Sequence, residues 1–232
     1  MTWSRGDNPF DVILGGYQIR NILGHAKHGS LLDLGCNDGS MLRELDKSCK
    51  FTRLLGVEAD LAKVVTVRDM SALVGIAHST IEDFDTEEKF DTVTLINVLE
   101  HVDDPLLVLK KAEWWLAPEG RIIIHVPNAL GLNRQLGFSM GLIQDMEELS
   151  QGDLELEHQR FYDPWTLRKD IMDAGLKVEG IGGVMLKPFS NAQMQRIADE
   201  WDNAGQIFDG LYELAKEMPW DSSPVWAVCR HQ

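Results

Sequence analysis

Four short stretches of this 232-residue chain carry side chains whose types and spacing could do chemistry. In LLDLGCNDGSMLREL, Asp33 closes an apolar run, and Gly35 and Gly39 bracket a turn leading into an amphipathic stretch. Glycine at 35 lets the backbone come close to a ligand, and glycine at 39 lets the turn pass tightly into a helix. The phosphate-cradling pattern G-x-G-x-x-G is poorly met, because Asn37 and Ser40 occupy its later positions. Asp33 and Asp38 would also repel a pyrophosphate seated on the helix start. Those acids suit a ligand end that bears an ammonium group. Downstream, the run RLLGV ends in Glu58, a carboxylate able to accept hydrogen bonds from both hydroxyls of a ribose. Taken alone, Glu58 also reads as a solvated loop acid.

The other two stretches suit proton transfer and anion recognition. His101 follows the apolar run TVTLIN, and its imidazole titrates in the range a general base requires. It reads either as that base or as a residue that caps its own segment, with Glu100 pointing elsewhere if the segment is helical. In HQRFY, the residues His158, Arg160 and Tyr162 alternate, which in an extended segment puts all three on one face. Arg160 could grip a carboxylate or phosphate in bidentate fashion, and Lys187 could add a second positive charge. A surface ion pair is the alternative for each. Asp103 and Asp104 lie near His101, but no tight ligand spacing supports a divalent ion, so no metal is expected. Trp114 and Trp115 read as core and rim.

The elements that must position these residues follow from the hydrophobic pattern. Strands are predicted over Leu31–Leu34, Arg53–Val57, Val74–Ala77, Thr92–Asn97, Arg121–Val126, Lys177–Ile181 and Val225–Arg230. Helices are predicted over residues 10–24, Gly39–Lys47, Leu61–Arg68, Pro105–Leu116 and Pro164–Ala174, with an amphipathic helix around Ala192–Ala215. Strands apolar on both faces and alternating with helices call for an α/β fold, a parallel sheet covered on two sides. The stretches 129–163 and 187–224 are long for loops and follow strands of the second half, where ligands bind in such folds. They are expected to act as substrate lid insertions on a single domain, 1–232, with an N-terminal helical segment over 1–30 and a ligand-binding core over 31–128.

Composition narrows the partners. With 22 Lys+Arg against 37 Asp+Glu, the formal charge is −15. That excess of acid argues against a broad basic surface for nucleic acid and against docking on an anionic membrane. Three cysteines with no CxxC pair suit a reducing compartment and give neither a disulfide framework nor a zinc site. With no signal-peptide core and no apolar run long enough to span a bilayer, the expected location is cytoplasmic. A small-molecule substrate is the expected partner, and a homodimer is compatible with the sequence.

The pattern D-x-G-x-x-x-G, the acid ending strand two, and KFDTVTLINVLEHVDDPLLVLKKAEWWLAPEGRIIIHVPN resemble class I S-adenosylmethionine-dependent methyltransferases. The likeness is strongest to the small-molecule branch that includes ubiquinone-pathway O-methyltransferases. It runs from about Leu31 to Asn128 and continues more weakly through HQRFYDPWTLRKDIMDAGLKV. The resemblance implies a Rossmann-like sheet of seven strands, mostly parallel with the last antiparallel, and helices on both faces. It implies that S-adenosylmethionine is the cofactor, leaving as S-adenosylhomocysteine. Asp33, Gly35, Cys36 and Gly39 would surround its methionine part, Glu58 its ribose, Ala59 and Ile81 its adenine with Glu82 nearby, and Asn97 its sulfonium. His101, His158 and Tyr162 are the candidate catalytic residues; Arg160 and Lys187 the candidate substrate contacts. Two departures stand out. Asn37 replaces a frequent glycine but tolerates positive φ, and Thr80 stands where many relatives have an Asp toward the adenine amino group. The expected reaction is methyl transfer to an O or N atom of a small polar metabolite such as a sugar or amino-acid-like compound. The alternatives are transfer to a protein or peptide side chain and a non-catalytic cofactor-binding protein.

Overall fold

The computed structural model describes residues 9–64 and 70–232. Helix α1 (Pro9–His25) precedes strand β1 (Gly29–Leu34), α2 (Ser40–Asp46), β2 (Phe51–Glu58), α3 (Leu61–Val64), β3 (Val74–His78) and β4 (Phe90–Ile96). There follow α4 (Pro105–Trp114), β5 (Leu116–Val126), α5 (Leu132–Ser139), α6 (Gln151–Glu155), α7 (Pro164–Asp173) and β6 (Lys177–Gly183). The chain closes with α8 (Asn191–Glu200), α9 (Ala204–Glu217) and β7 (Val225–Arg230). The seven strands form one sheet in the order β3-β2-β1-β4-β5-β7-β6. All neighbours from β3 to β5 pair in parallel, whereas β7 runs antiparallel to both β5 and β6. The strands predicted from the sequence all form, as does the antiparallel last strand.

Period-two alternation divides each strand's side chains between two cores. Leu32, Leu34, Val93, Leu95, Ile122 and Ile124 face α4 and α7 through Leu109, Ala112, Leu167 and Ile171. Leu31, Leu54, Ile96, Ile123 and Val228 face α1 and α2 through Ile22, Ala26, Leu42 and Leu45. A smaller cluster of Phe10, Met185, Met194, Ala204 and Phe208 joins the start of α1 to α8 and α9.

Three boundaries differ from the pattern-based reading. β5 begins at Leu116 rather than Arg121, because Leu116 itself pairs with Phe90 across a register shift. The predicted helix over Ala192–Ala215 is two helices, broken where Trp201 is extended and Asp202 and Asn203 supply turn-favouring side chains. The predicted helix Leu61–Arg68 is seen as α3 over Leu61–Val64; its remaining positions lie outside the described residues. Stretch 129–163 carries α5 and α6, and stretch 187–224 carries α8 and α9. No helix among the described residues is long and apolar enough to cross a membrane.

Candidate active site

The turn after β1 is built by backbone geometry. Gly35 sits at φ 75°, and a Cβ there would lie 2.9 Å from Val98 Cγ2 at the end of β4. The amides of Gly35 and Cys36 both donate to the Val57 carbonyl, at 2.9 and 3.0 Å. Asn37 adopts φ 53° and Gly39 φ 70°, so the left-handed conformation expected of Asn37 is present. Asp33 is fully buried, and its Oδ1 accepts the Thr94 hydroxyl at 2.8 Å. The turn therefore lies between the ends of β2 and β4.

Glu58 closes this cradle from β2. Its Oε2 accepts the Asn37 amide at 2.8 Å, and its Oε1 accepts the Asp60 amide at 2.9 Å. Ala59 is exposed beside it, its carbonyl 3.0 Å from His78 Nε2. Ile81 is buried in the core, and Glu82 is exposed. Asn97 ends β4 at φ 51°, its amide donating to the His125 carbonyl at 2.8 Å. Asp33, Gly35, Cys36, Gly39, Glu58 and Asn97 thus converge at the strand ends. This donor set of carboxylates and tight backbone turns fits an ammonium and a ribose.

Beyond Asn97 the chain turns instead of entering a helix, and this changes the surroundings of His101. Glu100 does not point away: its Oε1 lies 4.0 Å from His101 Nε2, with the carboxylate fully buried. The ring of His158 meets that of His101 edge-on, with centroids 4.7 Å apart. Burial lowers the pKa of His158 and the nearby Asp153 opposes that shift. The segment after His158 is laced to the same turn, since Gln159 Nε2 donates to the His101 carbonyl at 2.7 Å and to Asp103 Oδ1 at 2.9 Å. Asp104 caps α4 by accepting from the Leu107 amide.

Arg160 and Tyr162 occupy different places from those alternation suggested. Arg160 Nη1 donates to the carbonyls of Leu99, at 2.9 Å, and Val102. The guanidinium therefore braces the turn that carries Glu100 and His101. Tyr162 is 2 % exposed and donates to Asp170 Oδ2 at 3.1 Å. Burial, together with Asp170, pushes its phenol pKa up, and the group points into the α7 side of the core. The segment joins the sheet through an isolated bridge, Asn128 to Tyr162, rather than as a regular strand. Lys187 Nζ donates to Asn191 Oδ1 at 2.7 Å, and Asn191 Nδ2 donates to Asp11 Oδ1 at 2.7 Å. Burial lowers Lys187 to about 8, against the pull of Asp11 and Asp153.

One set of potential ligand side chains does come together among the described residues. Glu100, His101 and His158 each offer a ligand atom, and these lie within 4.8 Å of one another. Two imidazoles and a carboxylate suit a divalent transition metal. Sequence spacing could not show this set, because 57 positions separate the two histidines. Asp153 was also missed, although Ser150-x-x-Asp153 is a legible capping pattern.

A family model described as a methyltransferase domain matches residues 18–180. The chain belongs to this family. Its fold and cofactor are those of a class I S-adenosylmethionine-dependent methyltransferase. A ubiquinone biosynthesis O-methyltransferase of Xanthomonas euvesicatoria is 25% identical over 165 residues, 69% of this chain and 68% of that one. An S-adenosylmethionine-dependent methyltransferase from Mesorhizobium loti superposes with a TM-score of 0.64 at 13% identity, covering 96% of this methyltransferase and 100% of that chain. The N-methyltransferase NodS from Bradyrhizobium japonicum, solved with S-adenosyl-L-homocysteine, superposes at 0.56 with 16% identity, over 97% and 89%.

Proposed function

We propose that this methyltransferase transfers the methyl group of S-adenosylmethionine to a hydroxyl oxygen of a small polar metabolite. The observation that carries this reading is the edge-on pairing of His158 with His101, which follows the end of β4 in the chain. A hydroxyl nucleophile needs a proton acceptor, and a partly buried imidazole is suited to that task. The similarity to ubiquinone biosynthesis O-methyltransferases supports oxygen over nitrogen. The cofactor, when bound, supplies an electrophilic methyl carried on a sulfonium. Asp33 and the turn carbonyls would attract its ammonium end, Glu58 would hold the ribose hydroxyls, and Asn97 would line the methionine chain. His101 and His158 take up the acceptor's proton, while Arg160 keeps their turn in place. Lys187 offers a positive charge to a polar acceptor, and the stretches 129–163 and 187–224 act as lids that exclude water. The acidic surface supports a small molecule over nucleic acid or membrane as partner.

The test is methyl transfer from methyl-labelled S-adenosylmethionine into a metabolite extract of the source organism. Label is expected in the small-molecule fraction, and loss of either histidine should reduce transfer by about 10²–10⁴-fold. Label in the protein fraction would replace this reading by a protein methyltransferase. Cofactor binding without transfer would make the chain a binding protein.

A further inference from the structure

The face of the sheet that packs α1 carries a cavity of about 310 Å³ between α1, α9 and the paired strands β6 and β7. A space of that size admits a small metabolite. None of its lining residues belongs to the Asp33–Gly39 turn, to Glu58 or Asn97, or to the histidine pair.

The inner wall is fixed by packing. Trp226 Nε1 donates to the Gly183 carbonyl at 3.0 Å, and a Cβ on Gly182 would lie 2.6 Å from the indole ring, so glycine lets that ring lie on β6. The His25 ring meets the indole with centroids 4.5 Å apart, and its Nδ1 donates to the Asn21 carbonyl at 3.0 Å. Asn21 lines the cavity while only 7 % exposed. Its Oδ1 accepts from His125 Nε2 at 2.9 Å, whereas its Nδ2 has no hydrogen-bond partner among the described residues. Leaving a buried amide donor unpaired is costly, so this group favours a guest with an acceptor atom.

Two cations stand at the mouth. Arg20 and Lys216 both lie over the Tyr212 ring, at 4.4 and 5.4 Å from its centroid. Their acidic partners, Asp209 and Glu213, do not line the cavity, and Arg20 meets both at a long 3.4 Å. Ion pairs this exposed hold weakly and yield to a better-placed carboxylate. In a chain of charge −15, a cavity lined by two cations and, among the described residues, by no carboxylate is a local reversal of sign.

We propose that this cavity binds a small organic carboxylate. The carboxylate sits between Arg20 and Lys216, the apolar body lies against Trp226 and Ala215, and a second acceptor atom takes the Asn21 Nδ2 hydrogen. The planar fork of Arg20 suits the outer group, and every side-chain nitrogen offered along this path is a donor.

The probe is para-acetylbenzoate, which carries a carboxylate and a ketone at opposite ends of one ring. It is titrated into the ¹⁵N-labelled full chain saturated with S-adenosylhomocysteine. The signal read is the Trp226 indole N–H, identified by its loss in Trp226→Phe or, should that variant not fold, by its NOEs to His25. A saturable shift is expected at millimolar probe, the affinity within reach of so small a ligand. The uncharged para-acetylbenzamide, and para-ethylbenzoate, which lacks the ketone, should each bind about 5-fold or more weakly. Arg20→Gln should weaken para-acetylbenzoate by about 3-fold or more. Lys169→Gln, which removes an exposed charge from α7 on the other face of the sheet, should leave its binding unchanged. No saturable shift at Trp226, or shifts confined to other indoles, overturns the proposal. Equal binding of the three compounds overturns it as well, because the cavity would then select apolar bulk alone.

Discussion

The amide of Asn37 donates to Glu58 Oε2 at 2.8 Å, so the turn after β1 and the acid ending β2 form one unit. With Asp60 holding the other oxygen, the carboxylate is oriented before any ligand arrives. Each oxygen retains a second acceptor site for a ribose hydroxyl.

Glu58→Ala should therefore weaken S-adenosylhomocysteine binding by about 1.5–3 kcal/mol, the range for hydrogen bonds to a charged group. Isothermal calorimetry checks this, and unchanged affinity would remove Glu58 from the site.

Gly35→Ala places a methyl group 2.9 Å from Val98 Cγ2 at a backbone φ of 75°. A strained left-handed residue costs on the order of 1–3 kcal/mol. Denaturant unfolding should show that loss, and cofactor affinity should fall with it as the turn shifts. Asn37→Gly, at φ 53°, should be tolerated in the same assay.

Arg160→Lys should lower turnover while leaving the Kd for S-adenosylmethionine unchanged. A lysine ammonium cannot reproduce the planar fork that meets the Leu99 and Val102 carbonyls. Equal losses in both quantities would show that the brace also shapes the cofactor cradle.

Lys187 sets a pH dependence. Its pKa falls from 10.5 to about 8 on folding, chiefly through burial. Between those values the unfolded chain holds more protons, so unfolding free energy should rise with pH from about 8 toward 10.5. Lys187→Met should flatten that rise in chemical denaturation at a series of pH values. Asp11→Asn, removing the charge that favours the ammonium, should shift the Lys187 titration lower, read by NMR of the side chain.

The strands were legible because burial on both faces demands continuous apolar runs, and LLDL, TVTLI and RIIIHV are such runs. The cofactor turn was legible for a related reason: positive φ and close backbone approach restrict which residues can stand at 35, 37 and 39. The break between α8 and α9 was harder to read, since amphipathic periodicity continues across the Asp202–Asn203 turn.

What the sequence by itself determined is the sheet, its helical cover and the acidic cradle at the strand ends, because these rest on local pattern and conformational preference. Only the tertiary structure decided which polar side chains meet. It brought His158 against His101, turned Glu100 toward that pair, and set Arg160 to the backbone of their turn. It also sent Tyr162 into the core and placed Asp153 behind His158. These contacts depend on how an insertion folds back over the sheet, which is governed by packing between segments far apart in the chain.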